Sequence, residues 1–305
     1  MCATSLSARP VAKMWGRCGL PGSFAALAGG SGGGEPIGEI WFEPARGGDA
    51  ELLVKYLFTS ERLSIQVHPD DDAARSCGEI RGKDEAWLVL AAEPGAAIGL
   101  GLKREVSAHE LRRAALDGSI EELIDWKPAA AGDFFYSPAG TIHAIGAGLS
   151  LIEVQQNVDL TYRLYDYGRP RELHLDEAVA VARPEPWRSI YRPREIAPGR
   201  LLLATGGRFT VERWSSEALL RIDAAAADLL LIPLDGAGEV DGSEARPGLV
   251  VSTTGVSCVT PSGPLDLLVA YDGPVRLNLV RSQDHNRVRR LHNSGNARLD
   301  SVDWR

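Results

Sequence analysis

Leu63-Ser64-Ile65-Gln66-Val67-His68-Pro69-Asp70 is the stretch on which the reading of this chain turns. Successive side chains of a β-strand point to opposite faces. As a strand it sets Leu63, Ile65 and Val67 on one side and Ser64, Gln66 and His68 on the other. The apolar row belongs in a core. The polar row needs partners, because a buried Gln or His without them is costly. Two further stretches follow the same logic. In Gly82-Lys83-Asp84-Glu85-Ala86-Trp87-Leu88-Val89-Leu90, Lys83 and Glu85 share a face of a strand that then turns apolar. In Gly132-Asp133-Phe134-Phe135-Tyr136-Ser137-Pro138-Ala139-Gly140-Thr141-Ile142-His143, a Pro/Gly turn delivers another imidazole. Gln66, His68, Glu85 and His143 together make a four-ligand set for a divalent metal.

With 305 residues the chain is long enough for a full core and two units. Hydrophobic residues make up 44% and charged ones 24%, as in ordinary globular proteins. A net charge of -8 without a concentrated basic patch argues against nucleic acid, and an anionic substrate must then be met by a few local Lys and Arg. No apolar run approaches the roughly 20 residues of a membrane span. Cys2, Cys18, Cys77 and Cys258 have neither metal-site nor disulfide-scaffold spacing, and the N-terminus lacks the apolar core of a signal peptide. The expectation is a cytoplasmic protein with free thiols.

Residues 1–35 lack a regular pattern, and Gly29–Gly34 reads as a surface loop without the Lys-Ser/Thr of a phosphate loop. Order is expected to begin at Ile37–Phe42, followed by a strand over Leu52–Phe58. Ser107-Ala108-His109-Glu110 and Ser119-Ile120-Glu121-Glu122 are capping boxes, so 107–125 reads as two short helices beside the sheet. Strands resume at Phe134–Ser137 and Leu149–Asn157, the latter with Glu153 on one polar row. A helix over Leu173–Ala182 stops before Pro184, and the prolines that follow mark a linker. These signals divide the chain into a metal-binding unit over 1–198, a second non-catalytic all-β unit over 199–283, and a polar tail over 284–305.

Together the three metal-bearing segments, with Gly38-Glu39-Ile40-Trp41, Asp159-Leu160-Thr161-Tyr162-Arg163-Leu164-Tyr165-Asp166-Tyr167 and Arg171-Glu172-Leu173-His174-Leu175, resemble the compact bacterial type I mannose-6-phosphate isomerases. The resemblance spans roughly 14–183 in order and spacing. It implies a mainly β cupin fold, a metal-bearing jelly roll with small inserted helices followed by a degenerate second β-barrel. It implies one zinc ion per chain on Gln66, His68, Glu85 and His143, a phosphosugar substrate, and a monomer or homodimer. Lys83 and Arg163 match the family's active-site Lys and Arg, and Glu153 falls where the family carries an acid near the substrate.

Aldose–ketose isomerisation moves a proton between C1 and C2, and a divalent metal stabilises charge on the neighbouring oxygens. Lys83, shifted down by burial and the cation, and Glu153 are both candidates for the base. Arg163 can neutralise phosphate or a developing enediolate, or pair with Asp166, and Ser64 can donate to phosphate or to a neighbour of the metal. His109, His174, His285 and His292 read as exposed or capping, and Cys77 has no base to activate it. An iron-dependent cupin oxygenase and a sugar-phosphate sensor without turnover are the competing readings. Gln66 in place of the usual first cupin His stands against the oxygenase, and the joint presence of Lys83, Glu153 and Arg163 stands against the sensor.

Overall fold

The computed structural model describes residues 3–22, 24–25, 34–43, 49–189, 191–205, 207–224, 228–276 and 280–282. Cys2, most of the Gly29–Gly34 run and the 284–305 tail, with His285 and His292, lie outside the described residues. Two jelly-roll units are built from four antiparallel sheets. In the first unit a six-stranded sheet, ordered Ser7–Arg17, Ile37–Glu43, Leu52–Phe58, Leu149–Gln156, Glu85–Ala92, Phe134–Ser137, faces a five-stranded one. That partner runs Tyr162–Tyr165, Ile65–Val67, His143–Ile145, Ala97–Leu102, Ile124–Pro128. The fold is the expected mainly β cupin class, with paired sheets rather than closed barrels.

Packing explains why some strands alternate and others do not. Every residue of Leu52–Phe58 and of Leu149–Gln156 is buried. One face of this six-stranded sheet (Val54, Tyr56, Phe58, Leu88, Ile152, Val154) packs on Val211, Leu230, Ile232 and Leu268 of the second unit. The other, with Leu57, Trp87, Val89 and Leu151, meets Ile98, Leu100 and Ile145 across the first unit's interior. Each fully buried side chain of this size contributes about 1.5–3 kcal/mol, so the two units share one continuous core. The outer face of the five-stranded sheet (Ile65, Val67, Leu164) is covered by Leu111, Ala114 and Ala115 of the helix Ala108–Asp117 and by Ala178 of Leu175–Val181.

Several expectations are corrected. The N-terminal region is ordered: Thr4–Ser5 pairs with Val251–Thr253 in the second unit, and Ser7–Arg17 is the edge strand of the six-stranded sheet. Pro10 is tolerated there because an edge strand has one side free of ladder bonds. Around the boundary expected at 198, Arg194–Ala197 pairs with Arg200–Ala204. The proline-rich stretch before it is pinned to the first unit, where the Trp187 indole donates to the Tyr136 carbonyl at 3.1 Å. Only half of the first capping box forms: Ser107 accepts from the Glu110 N–H at 3.1 Å, while the Glu110 carboxylate turns to Arg104. Ser119 caps nothing and donates instead to Asp117. Ile124 and Asp125, expected to be helical, open a strand. Among the described residues no helix is long and apolar enough to cross a membrane.

Candidate metal centre and substrate cleft

The polar rows of the sequence meet inside the first unit. On the five-stranded sheet the register sets His143, Gln66 and Arg163 abreast. On the facing sheet Trp41, Lys55, Glu153, Trp87 and Phe135 form one row, and Glu85 pairs with Gln155. His68 lies one residue past its strand, where the chain enters the helix Asp71–Ser76 capped by Asp70.

Backbone bonds bolt these segments together. Gly140 donates to the His68 carbonyl at 2.8 Å, Lys83 to the Pro69 carbonyl at 3.0 Å, and Ala139 to the Asp84 carboxylate at 2.8 Å. Asp84 also accepts from the Tyr136 hydroxyl at 2.6 Å. Gly140 turns at φ 85°, in the left-handed region that glycine enters without strain. At Gly82 a Cβ would stand 2.4 Å from the Asp70 carbonyl carbon, so only glycine lets Lys83 and Glu85 approach His68 this closely.

Three donors converge. His68 Nε2 lies 3.2 Å from Glu85 Oε1, and His143 Nε2 lies 3.3 Å from Glu85 Oε2, all three residues being buried. His68 Nδ1 lies 2.9 Å from the Leu160 carbonyl and His143 Nδ1 2.9 Å from that of Thr141. Carbonyls only accept, so each Nδ1 carries the proton and each Nε2 presents a lone pair. Burial pushes the His68 pKa down to about 4 and lowers that of His143, which keeps both rings neutral. Burial opposes ionisation of Glu85, but His68 and Lys83 outweigh it and hold its pKa well below the usual range. The centre is therefore a carboxylate faced by two lone pairs, with His68 Nε2 and Glu85 Oε2 lacking any hydrogen-bond partner among the described residues. Acceptors held together in a buried interior repel unless a cation joins them. This donor set fits a divalent metal.

Gln66 stands at the edge of this centre. Its Nε2 is 3.2 Å from His143 Nε2, and its Oε1 accepts from the Ser64 hydroxyl at 3.0 Å. A half-turn of the amide exchanges nitrogen for oxygen. Ser64 is thus bonded to Gln66 and lines the cleft as well.

Lys83 Nζ is 3.0 Å from Glu85 Oε1. Burial lowers its pKa, yet Glu85 and Glu153 overcome burial, so the net shift from the protein's own groups is upward. Glu153 accepts from the Trp87 indole at 2.8 Å and pairs with Lys55 at 3.4 Å. Burial and the nearby Glu85 raise its pKa. Arg163 does not pair with Asp166, which is taken by Arg169 and Arg171. The backbone of Arg163 is instead fixed by His174, whose Nδ1 accepts from the Arg163 N–H at 3.2 Å.

Of these residues Ser64, Gln66, Lys83, Glu85, Glu153 and Arg163 line a cleft of about 570 Å³, open solvent included. Lys13, Trp15, Lys55, Asp159 and Arg171 also line it, and residue-by-residue reading of the sequence assigned a role to none of them. Lys55 was signalled by its place in the middle of an apolar run, where a buried ammonium needs partners. It finds Glu153 and the face of Trp41, 4.3 Å from the ring centre.

A two-unit jelly roll with a buried His/Glu/His cluster whose Glu85 lines a charged cleft is a cupin with a candidate metal site. No family model matches the chain. It is 32% identical over 246 residues to the mannose-6-phosphate isomerase of Streptococcus mutans, covering 74% of this chain and 76% of the relative. The crystal structure of the Bacillus subtilis mannose 6-phosphate isomerase superposes with a TM-score of 0.75 at 26% identity, over 88% of this chain and 99% of that one. A zinc-bound mannose 6-phosphate isomerase shares the fold at a TM-score of 0.67 and 14% identity, over 90% and 100% of the two chains. The chain belongs to the mannose-6-phosphate isomerase family.

Proposed function

We propose that this chain interconverts mannose 6-phosphate and fructose 6-phosphate with one zinc ion per chain, held by Gln66, His68, Glu85 and His143. The observation that carries the reading is the convergence of His68, Glu85 and His143 on one another, with Glu85 lining a cleft together with Lys83 and Glu153. When bound, the ion supplies Lewis-acid polarisation of the substrate oxygens at C1 and C2. Glu153 and Lys83 are the groups that hold and move the proton between C2 and C1. Trp87 and Lys55 fix the Glu153 carboxylate for that work, and the charged Lys83 steadies negative charge on oxygen. Arg163 and Ser64 complete the substrate-binding set. The unpaired Cys18, Cys77 and Cys258 suit a cytoplasmic enzyme, acting as a monomer or homodimer.

The test is conversion of mannose 6-phosphate to fructose 6-phosphate before chelation, after it, and after zinc is returned. Activity should vanish with the chelator and come back with zinc. A folded, zinc-loaded sample without turnover overturns the reading.

A further inference from the structure

The row that sets His143, Gln66 and Arg163 abreast ends at Arg163, because Tyr162–Tyr165 is the edge strand of its sheet. The ladder loosens there, since the register with Ile65–Val67 shifts between Arg163 and Tyr165. On an antiparallel strand the N–H and C=O of one residue point to the same side. Those of Arg163 face outward, past the last strand of the sheet, and His174 takes both. The Arg163 N–H donates to His174 Nδ1 at 3.2 Å, and the His174 N–H donates to the Arg163 carbonyl at 2.9 Å. One residue stands in for a neighbouring strand.

This contact displaces another. His174 holds the N-cap of the helix Leu175–Val181, where its carbonyl accepts from the Ala178 N–H at 2.8 Å. An N-cap side chain ordinarily accepts from an amide of the first turn, and Ser, Asp and Asn do this best. The imidazole bonds none of those amides and turns to the strand instead. Its ring lies beside that of Tyr162, the centroids 6.1 Å apart, so the helix start is seated against two successive residues of the strand. The side chain of Arg163 has few anchors of its own. It makes no ion pair among the described residues, and its Nε is buried without a hydrogen-bond partner there. Arg163 lines the cleft, and where its guanidinium stands depends on how its main chain is held.

We infer that His174 is a positioning residue for the isomerisation, bracing the main chain of Arg163 and so setting where that guanidinium meets the substrate. An imidazole suits the task because it spans from the helix start to the strand and presents a bare ring nitrogen as the acceptor. A serine at the same place would cap the helix and stop short of Arg163. Helix stability is given up for a fixed side chain in the cleft, as expected where a site is held by its supporting shell. This inference rests on the proposed substrate-binding role of Arg163.

The experiment compares the zinc-loaded parent with His174→Phe, which keeps a ring and loses the acceptor, and His174→Ser, which can cap the helix but not reach Arg163. Both should raise KM for mannose 6-phosphate by about 3- to 10-fold, the contribution of one hydrogen bond, and leave kcat within about twofold. Stability should separate them. His174→Ser should melt about 2–4 °C above His174→Phe, because it alone gains a cap. In an Arg163→Met background neither substitution should raise KM further, since a brace acts only through what it holds. Hydrogen exchange at the Arg163 amide should quicken by about 3- to 10-fold in both single variants, which reads the brace without any turnover. KM or amide exchange unchanged in either folded variant, or KM losses that add in full in the double variants, overturns the inference. If the parent isomerises nothing while both variants speed that exchange, the proposed function falls and the brace on Arg163 stands.

Discussion

Both units carry a Glu-x-Trp pair on a strand facing their interior, Glu85 with Trp87 in the first and Glu212 with Trp214 in the second. All four residues are buried. In the second unit the carboxylate is fully used: Arg200 donates Nε at 2.8 Å and Nη2 at 2.7 Å, the Trp214 indole donates at 2.7 Å, and the Tyr271 hydroxyl donates as well. In the first, Trp87 gives its N–H to Glu153, Glu85 Oε1 meets Lys83, and Oε2 has no hydrogen-bond partner among the described residues. One architecture thus yields a closed polar network and an open one. Burial and charge are common to both, and leftover bonding capacity separates the candidate site from the structural pair.

The largest expected effect comes from removing a donor at the open network. His143→Ala should strip bound metal, read by elemental analysis, and lower turnover by on the order of 1,000-fold. Full metal content and activity in that variant would erase the distinction between the two interiors. At the closed network the effect should be on folding instead. Arg200→Met leaves Glu212 without its cation and should cost about 3 kcal/mol, a fall of about 6–12 °C in melting temperature. Turnover per folded, metal-loaded molecule at 25 °C should not change. A catalytic defect at unchanged stability would mean that the second unit reaches into the chemistry.

The same contrast explains what the sequence revealed. Around the open network, the strands over 65–67, 85–92 and 134–137 and their polar rows were legible, because side chains at every second position carry recognisable chemistry. Lys55 carried a signal of a different kind: both faces of Leu52–Phe58 are buried, which erases alternation and leaves one charge inside an apolar run as the only mark of a partnered ammonium. The strand Ser7–Arg17, which brings Lys13 and Trp15 to the cleft, was obscured by Pro10 and by the weak apolar pattern of an edge. Phe209–Ser216 also escaped notice. Its inward row Thr210, Glu212 and Trp214 imitates a solvent face, and only tertiary pairing with Arg200 makes it a core strand. Arg163 lines the cleft without the ion pair to Asp166 that was one alternative open to it, because Asp166 is taken by Arg169 and Arg171, a choice between neighbours that spacing does not encode.

The pH dependence of stability offers the finest discrimination between the two networks. Folded His68 titrates near 4, burial being the main cause, whereas an unfolded histidine titrates near 6.5. Its folded pKa is the lower one, so the stability it contributes is complete above about 6.5 and is lost as pH falls toward 4. His143 shifts in the same direction and adds to the loss. Glu85 sits well below its ordinary range and Lys83 above its own, so both stay charged in the folded protein across that window, and the proton an unfolded Glu85 takes up at its acid end adds to the loss. In chelator-treated protein, unfolding free energy from urea titrations should therefore decline between about pH 6.5 and 4, by at most about 1.4 kcal/mol per pH unit for each imidazole. His68→Gln should flatten that slope, since its amide takes up no proton in this range. Arg200→Met should lower the whole curve and leave the slope as it was, because both imidazoles belong to the open network and keep their surroundings. An undiminished slope in His68→Gln would locate the acid sensitivity outside the open network and remove the electrostatic half of the contrast.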